Sequence, residues 1–333
     1  MAPDALRSAG CSQRLVRNAL LSALCASCPL PACLSKGDHR LLTLAQIGVG
    51  YWGPNLLRNL SASKRCDVKT VVDLAADRQE YVRRLYPRIR TTDNIDRVFE
   101  DPDVSAVIIA TPVASHFDLA TKALRAGKHI LVEKPLATRV NEVEEIAALA
   151  EKNRLVAMVG HTFLFSPPVR YVKKLIDSGA LGNVRYIYSQ RLNLGRIRSD
   201  VDALWNFAPH DISIIQYWLD EPTPISVARH GAAYIQDSVA DVVFLNITYP
   251  NNVMANIHVS WLDPRRVRSI TVIGTRQMLV YDDAADSKVA IYDKGIDRKA
   301  ASNGSDPAYD YRSGDVVLPK IDSQEPLRVE LDH

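Results

Sequence analysis

Three glycines and an acid are the residues of this 333-residue chain whose types and spacing most plainly do chemistry. Gly48, Gly50 and Gly53 stand in G-x-G-x-x-G spacing directly after the apolar run Leu42 to Ile47. At the end of a strand, the first glycine permits a tight turn and the second lets the backbone approach a pyrophosphate. The third lets the following helix pack closely, with the phosphates at its positive N-terminal end. Tyr51 and Trp52 lie inside this turn and belong to the same binding segment. A second apolar run, Val68 to Val72, ends in Asp73, twenty residues past Gly53. An acid there accepts hydrogen bonds from the adenosine ribose hydroxyls. Strand, glycine turn, helix, strand and acid in that order predict a dinucleotide-binding unit. Asp73 repels a 2′-phosphate, Leu74 beside it supplies no opposing charge, and Arg78 reads as a solvated helix residue. NAD is therefore expected in preference to NADP.

Two more constellations follow predicted strands. Thr111 and Pro112, with His116 beyond, come after the run 104–110, and Glu133-Lys134-Pro135 comes after 129–132. In an open parallel sheet, ligands bind beyond the carboxyl ends of the strands, so Thr111, Pro112, His116, Glu133 and Lys134 are expected at the cofactor. A lysine beside a positively charged nicotinamide gives up its proton more readily. It can then hydrogen-bond a substrate hydroxyl or take its proton; a surface lysine paired with Glu133 is the plainer alternative. Further along, Asn206 and His210 are spaced by four near an expected helix start, and both can face one ligand. His210 is the natural proton acceptor, because imidazole titrates near neutrality. Alternatively, His210 and Asp211 simply cap that helix.

The elements that must position these residues follow from the apolar pattern. Strand-like runs at 42–47, 68–72, 88–91, 104–110, 129–132 and 155–160 alternate with helical patterns at 53–63, 75–86, 94–100, 114–126 and 139–153. That alternation implies an α/β Rossmann domain with a parallel sheet covered on both faces. After Gly160 come a helix at 168–178, a strand from Val184 to Arg191, a polar loop, and a helix from about His210 to Leu219. Strand runs then follow at 225–235, 239–249, 252–261, 267–274, 277–282 and 288–293, with a turn at Pro250-Asn251-Asn252. Successive strands without helices between them predict an α+β domain with an open, mainly antiparallel sheet. Residues 294–323 read as a long polar loop. The expected division is a 1–40 extension, a dinucleotide-binding domain over 41–160, a substrate and oligomerisation domain over 161–323, and the start of a C-terminal helix at 324–333. A ligand crevice between two such domains is the general expectation.

Composition narrows the partners. Hydrophobic residues at 47 % and charged residues at 24 % describe a globular chain, and a net charge of +3 without a basic, aromatic-studded stripe carries no nucleic-acid signal. No apolar run reaches the roughly 18 residues that span a bilayer, so no membrane partner is expected. Four of the five cysteines fall in the first 33 residues; this is no disulfide framework, and a cytoplasmic setting is the default. Cys25, Cys28 and Cys33 lack an evident fourth ligand, so no metal is expected. The first forty residues are basic and acid-poor, as transit peptides are, but their apolar stretch is broken by prolines. They read as a disordered extension.

Taken together, Gly-Val-Gly-Tyr-Trp-Gly, Ala-Thr-Pro with His116, Glu-Lys-Pro at 133–135 and Pro-His-Asp at 209–211 resemble the Gfo/Idh/MocA family of NAD(P)-dependent sugar and inositol oxidoreductases. The resemblance runs from about Leu42 to the end. It implies a Rossmann domain joined to an antiparallel-sheet domain, and places Lys134 and His210 beside the reacting carbinol. Many inositol-type members carry aspartate where this chain has Asn206, which orients a hydroxyl but does not relay a proton. Family chains usually continue past this C-terminus, so the sequence reads as truncated. Members commonly pair through the open sheet, which implies a homodimer or homotetramer. Arg191, Asn193, Arg196 and Arg198 form the best substrate-reading segment, since arginines suit bidentate contacts to phosphate; a solvated loop is the even alternative. With Tyr51 to Asn55, this segment resembles members acting on nucleotide-linked sugars. The expected reaction is hydride transfer from C3 of a hexose such as that of UDP-N-acetylglucosamine. The alternatives are a free-sugar or inositol dehydrogenase and a non-catalytic dinucleotide sensor.

Overall fold

A computed structural model describes residues 41–298 and 309–333 of the chain. The extension 1–40, with Cys25, Cys28 and Cys33, lies outside the described residues. Two compact units emerge: the first runs to His161 and takes in Leu327–His333, and the second is Thr162–Pro326.

In the first unit, strands Leu42–Ile47 (β1), Cys66–Val72 (β2), Arg90–Thr92 (β3), Ala106–Ile109 (β4), His129–Glu133 (β5) and Ala157–Gly160 (β6) form one sheet in the order β3-β2-β1-β4-β5-β6. Every pairing in it is parallel. Helices Gly53–Ala62 (α1), Ala76–Leu85 (α2), Asp96–Phe99 (α3), His116–Arg125 (α4) and Val140–Asn153 (α5) alternate with these strands. Strand side chains point to opposite faces in turn, and the core divides accordingly. Val107 and Ile109 join Leu119, Ala123, Leu124 and Ile146 on one face. Ala106 and Ile108 join Leu56, Leu57, Leu60 and Val71 on the other. All four residues of β4 are buried, as expected of a central parallel strand covered on both faces.

The second unit begins with a short 3-10 turn, Thr162–Phe165, followed by helix Pro167–Asp177 (α6), and contains helix Ala203–Trp218 (α7). Its eight strands are Val184–Leu194 (β7), Ser226–Ala232 (β8), Val242–Tyr249 (β9), Val253–Ser260 (β10), Leu262–Gly274 (β11), Met278–Asp282 (β12), Val289–Arg298 (β13) and Tyr309–Val317 (β14). They run in the order β14-β13-β12-β11-β7-β10-β9-β8. All pairings are antiparallel except β7 with β10, which is parallel. In β9, Val243, Leu245, Ile247 and Tyr249 are buried on one face. Phe244, Tyr186, Tyr188 and Met254 are exposed. The turn at 250–252 holds Asn251 and Asn252 at φ of 60° and 58°, a left-handed conformation that asparagine tolerates better than most residues.

Two expectations need correction. The stretch 294–323 is not all loop: β13 extends to Arg298, and β14 pairs with it from Tyr309 to Val317. As the edge strand, β14 is almost wholly exposed, so it lacks the period-two apolar signal by which strands are read. Its hold on β13 is the backbone ladder plus Arg312, which bonds Asp293 at 2.8 Å and Asp297 at 2.7 Å. Second, the helix expected from His210 begins at Ala203. Pro209 lies inside α7, whose buried residues Ala203, Ala208, Ile214, Ile215 and Trp218 span both sides of it. The N-cap is Asp202, which accepts from the Trp205 amide at 2.9 Å. The last helix, Pro326–Asp332 (α8), buries Leu327 against the α1 and α2 side of the first sheet.

Candidate active site

The glycine turn is built as its residue types require. Gly48 has φ of +95°, and a Cβ there would sit 2.6 Å from the Ala110 carbonyl oxygen. A Cβ on Gly53 would meet the Gly48 oxygen at 2.5 Å, so this glycine lets the helix close on the turn. Gly50 differs: nothing lies within 4 Å of the position its Cβ would take, which is open space where a ligand phosphate can approach. The N-cap of α1, Trp52, makes no side-chain capping bond, Pro54 has no amide proton, and the Asn55 amide donates to the Trp52 carbonyl at 2.9 Å, so what the helix start offers an anion is chiefly its positive end. These features fit a dinucleotide pyrophosphate. Asp73 accepts from the Val49 amide at 2.7 Å and the Ala75 amide at 2.9 Å. A carboxylate has further lone pairs for hydroxyl donors.

Gln46 carries no expectation from the sequence. It is fully buried in β1, and its amide nitrogen donates to the carbonyls of Gly48 and Gly53, both at 2.9 Å. One side chain thus ties both ends of the turn. Its signal was legible: a polar residue within an apolar strand, immediately before the glycines.

Beyond β4 and β5, His116 opens α4 and lies between the Thr111 and Pro135 loops. It is buried, its Nδ1 lies 2.8 Å from the Pro135 carbonyl oxygen and its Nε2 2.8 Å from that of Thr111. The ring therefore braces the two loops against each other and has no polar edge to spare. Thr111 Oγ1 is 2.7 Å from Ser115 Oγ, and Pro112 is exposed. Lys134 follows β5 directly, and its peptide bond to Pro135 is cis. Burial pushes the Glu133 carboxyl up to about 7, against the opposing pull of the Lys134 charge and a hydrogen bond from the Trp52 side chain. His161, another residue without a sequence expectation, follows Gly160, the partner of Glu133 across β5 and β6. Burial, and then the Lys134 charge, push its imidazole down to about 4. Its buried Nδ1 has no hydrogen-bond partner among the described residues. Tyr51 is exposed and Trp52 partly so.

In the second unit, Asn206 and His210 lie one turn apart on α7, both half-buried. The capping alternative for His210 and Asp211 is overturned, since both are interior to the helix. Asp211 is 1 % exposed and accepts from Ser189 Oγ at 2.6 Å and Arg191 Nε at 2.6 Å. Arg191 stands in β7, as the strand expected from Val184 to Arg191 requires, and its guanidinium is buried against Asp211. Arg196 is exposed, and Arg198 pairs with Asp200. Asn193 Oδ1 is buried with no partner among the described residues. Among the described residues no cluster of metal-ligating side chains occurs, and no helix is long and apolar enough to cross a membrane.

A parallel sheet in the order 3-2-1-4-5-6, ending in a glycine turn held by an acid, defines a dinucleotide-binding Rossmann protein. Residues 42–161 match the NAD-binding Rossmann fold of the GFO_IDH_MocA oxidoreductase family, and residues 169–280 match a C-terminal domain of the same family. The chain belongs to the Gfo/Idh/MocA family and is an oxidoreductase. Among curated relatives, UDP-N-acetylglucosamine 3-dehydrogenase of Acidithiobacillus ferrooxidans is 27 % identical over 83 % of this chain and 85 % of its own length. A 2,7-anhydro-N-acetylneuraminate hydratase of Mediterraneibacter gnavus is also 27 % identical, over 62 % of this chain and 58 % of its own length. The chain thus spans less than two thirds of that second relative. Among solved structures, GenD2 from gentamicin A biosynthesis, in complex with NAD, superposes with a TM-score of 0.72 at 24 % identity, covering 87 % of this chain and 83 % of its own.

Proposed function

We propose that this oxidoreductase uses NAD to oxidise C3 of the hexose of a nucleotide sugar such as UDP-N-acetylglucosamine. The observation that carries the reading is the match to the UDP-N-acetylglucosamine 3-dehydrogenase over 85 % of that enzyme's length, in a chain that keeps both Lys134 and His210. Arg196 and Arg198, with Asn193, are assigned to the nucleotide phosphates and the sugar. Asp73 supports NAD over NADP, because a 2′-phosphate would face its carboxylate.

Nicotinamide, when bound, would supply the redox chemistry, a two-electron acceptor for hydride from a carbinol. Gly48, Gly50 and Gly53 would hold the pyrophosphate, and Asp73 the adenosine ribose. Lys134 and His210 are assigned the carbinol proton, one taking it and the other hydrogen-bonding the hydroxyl. Asn206, an amide, orients a hydroxyl without relaying a proton. The rest of the rate is positioning, since the two carbons must be close and aligned. The exposed aromatic face of the second sheet supports pairing of copies through it, and a cytoplasmic setting suits the cofactor.

The test is NADH formation with UDP-N-acetylglucosamine, its uronate, UDP-glucose, myo-inositol and glucose. Turnover with the nucleotide sugars alone supports the proposal. Turnover with the free polyols alone overturns the substrate and leaves a family dehydrogenase. Tight NAD binding without turnover of any of them favours a sensor.

A further inference from the structure

We infer that Arg191 is a positioning residue for His210, holding the helix that carries it through Asp211 and the imidazole itself through Phe163. The inference rests on the role proposed for His210 and deepens it.

Ser189 and Arg191 are two apart on β7 and therefore share a face of the strand. Both reach the Asp211 carboxylate: Ser189 Oγ at 2.6 Å to Oδ1, Arg191 Nε at 2.6 Å to Oδ2, and Arg191 Nη2 at 3.4 Å to Oδ1. The side chains of Arg191 and Asp211 are 6 % and 1 % exposed. Two charges so deeply buried hold each other strictly, because losing either leaves the other unpaired in a low-dielectric setting. Asp211 directly follows His210 on α7. Pinning Asp211 to β7 therefore fixes the rotation of the helix about its axis at that turn, and with it the direction in which the His210 side chain leaves the backbone.

The second arm acts on the ring. Arg191 Cζ lies 4.9 Å from the centroid of the Phe163 ring, and Phe163 meets the His210 ring edge to face, centroids 4.9 Å apart at 67°. Guanidinium, phenyl and imidazole thus stand in contact in that order. A planar guanidinium can bond Asp211 and cover an aromatic face at once, whereas a lysine ammonium offers only a point charge. One arginine sets both the backbone under His210 and the wall against which its ring rests. Proton transfer needs the imidazole within hydrogen-bond reach of the hydroxyl, so this arrangement matters for turnover more than for substrate affinity.

The test uses the full chain loaded with NAD, with ring-labelled histidine. The His210 resonance is assigned by its disappearance in His210→Gln. In Arg191→Met the His210 signal is expected to broaden or split, and kcat with UDP-N-acetylglucosamine to fall by about ten- to a hundredfold with KM within about twofold. Arg191→Lys should fall between this variant and the wild type. If Arg191→Met does not fold, Arg191→Lys and Phe163→Leu, which leave the Asp211 charge partnered, carry the test. A His210 signal unchanged from wild type in the folded Arg191 variants overturns the inference. So does a loss of kcat that only tracks the fraction of protein able to bind NAD. Should the wild type not turn over UDP-N-acetylglucosamine, the substrate reading fails, and the His210 spectrum alone still decides for or against the positioning role.

Discussion

The Asp73 carboxylate grips the Val49 amide at 2.7 Å, so the acid that closes β2 also holds the glycine turn that closes β1. Its two tasks are separable. Asp73→Asn keeps an acceptor oxygen for one of the two amides that the carboxylate bonds and removes the charge that repels a 2′-phosphate. The expected outcome is a folded protein whose preference for NAD over NADP narrows by about tenfold, read from the two dissociation constants by titration of protein fluorescence.

Gly50 and Gly53 should fail in different ways. A Cβ at Gly50 meets no protein atom within 4 Å, so Gly50→Ala should melt like wild type while weakening NAD binding by tenfold or so. A Cβ at Gly53 lies 2.5 Å from the Gly48 oxygen, so Gly53→Ala must open the turn. A loss of about 1–3 kcal/mol of stability is expected, as for other overpacked sites. Calorimetry with and without NAD separates the two.

Glu133 and His161 should shape the pH dependence of stability from opposite sides. The folded state raises the Glu133 carboxyl from 4.5 to about 7. Its contribution is therefore full below pH 4.5 and lost as pH rises through about 7. Glu133→Gln should stabilise the cofactor-free protein at pH 8, by on the order of 2 kcal/mol, and make no difference below about pH 4.5. Equal denaturation midpoints for wild type and variant at pH 8 would count against this burial.

The sign reverses at His161, whose imidazole falls from 6.5 to about 4. Its contribution is present above 6.5 and lost as pH falls toward 4. His161→Gln should flatten that acid limb while leaving stability at pH 8 within about 1 kcal/mol. Urea titrations across the range provide the measurement.

Lys134→Met and His210→Gln should each lower kcat by two to four orders of magnitude, roughly the worth of a positioned proton carrier. NAD binding should survive in His210→Gln. Stopped-flow NADH formation in the substrate panel reads the first effect and fluorescence titration the second.

The first unit was legible because each of its signals is local. The glycine spacing, the acid after β2 and the alternation of apolar runs with helical patterns all lie within a few turns of chain, and strands buried on both faces are apolar throughout. Less could be read where polarity is deceptive. The helix expected from about His210 runs through Pro209 from a cap at Asp202. The edge strand β14 looked like loop, since an exposed strand is recognised by its partner and not by its own residues. Gln46 announced itself only as a polar interruption.

By itself, the sequence determined the family and the order of the elements in the first unit, because these follow from local spacing and from the period of burial. Tertiary structure alone decided what the polar side chains do. His116 and Arg191 have the residue types of ligand-binding groups, but burial obliges each to find partners: beside the nearby Thr111 carbonyl, His116 meets the carbonyl of Pro135, and Arg191 meets the carboxylate of Asp211, both brought from other segments of the chain. A buried polar group must be satisfied wherever the fold brings a partner, and such pairings are set by packing rather than by spacing.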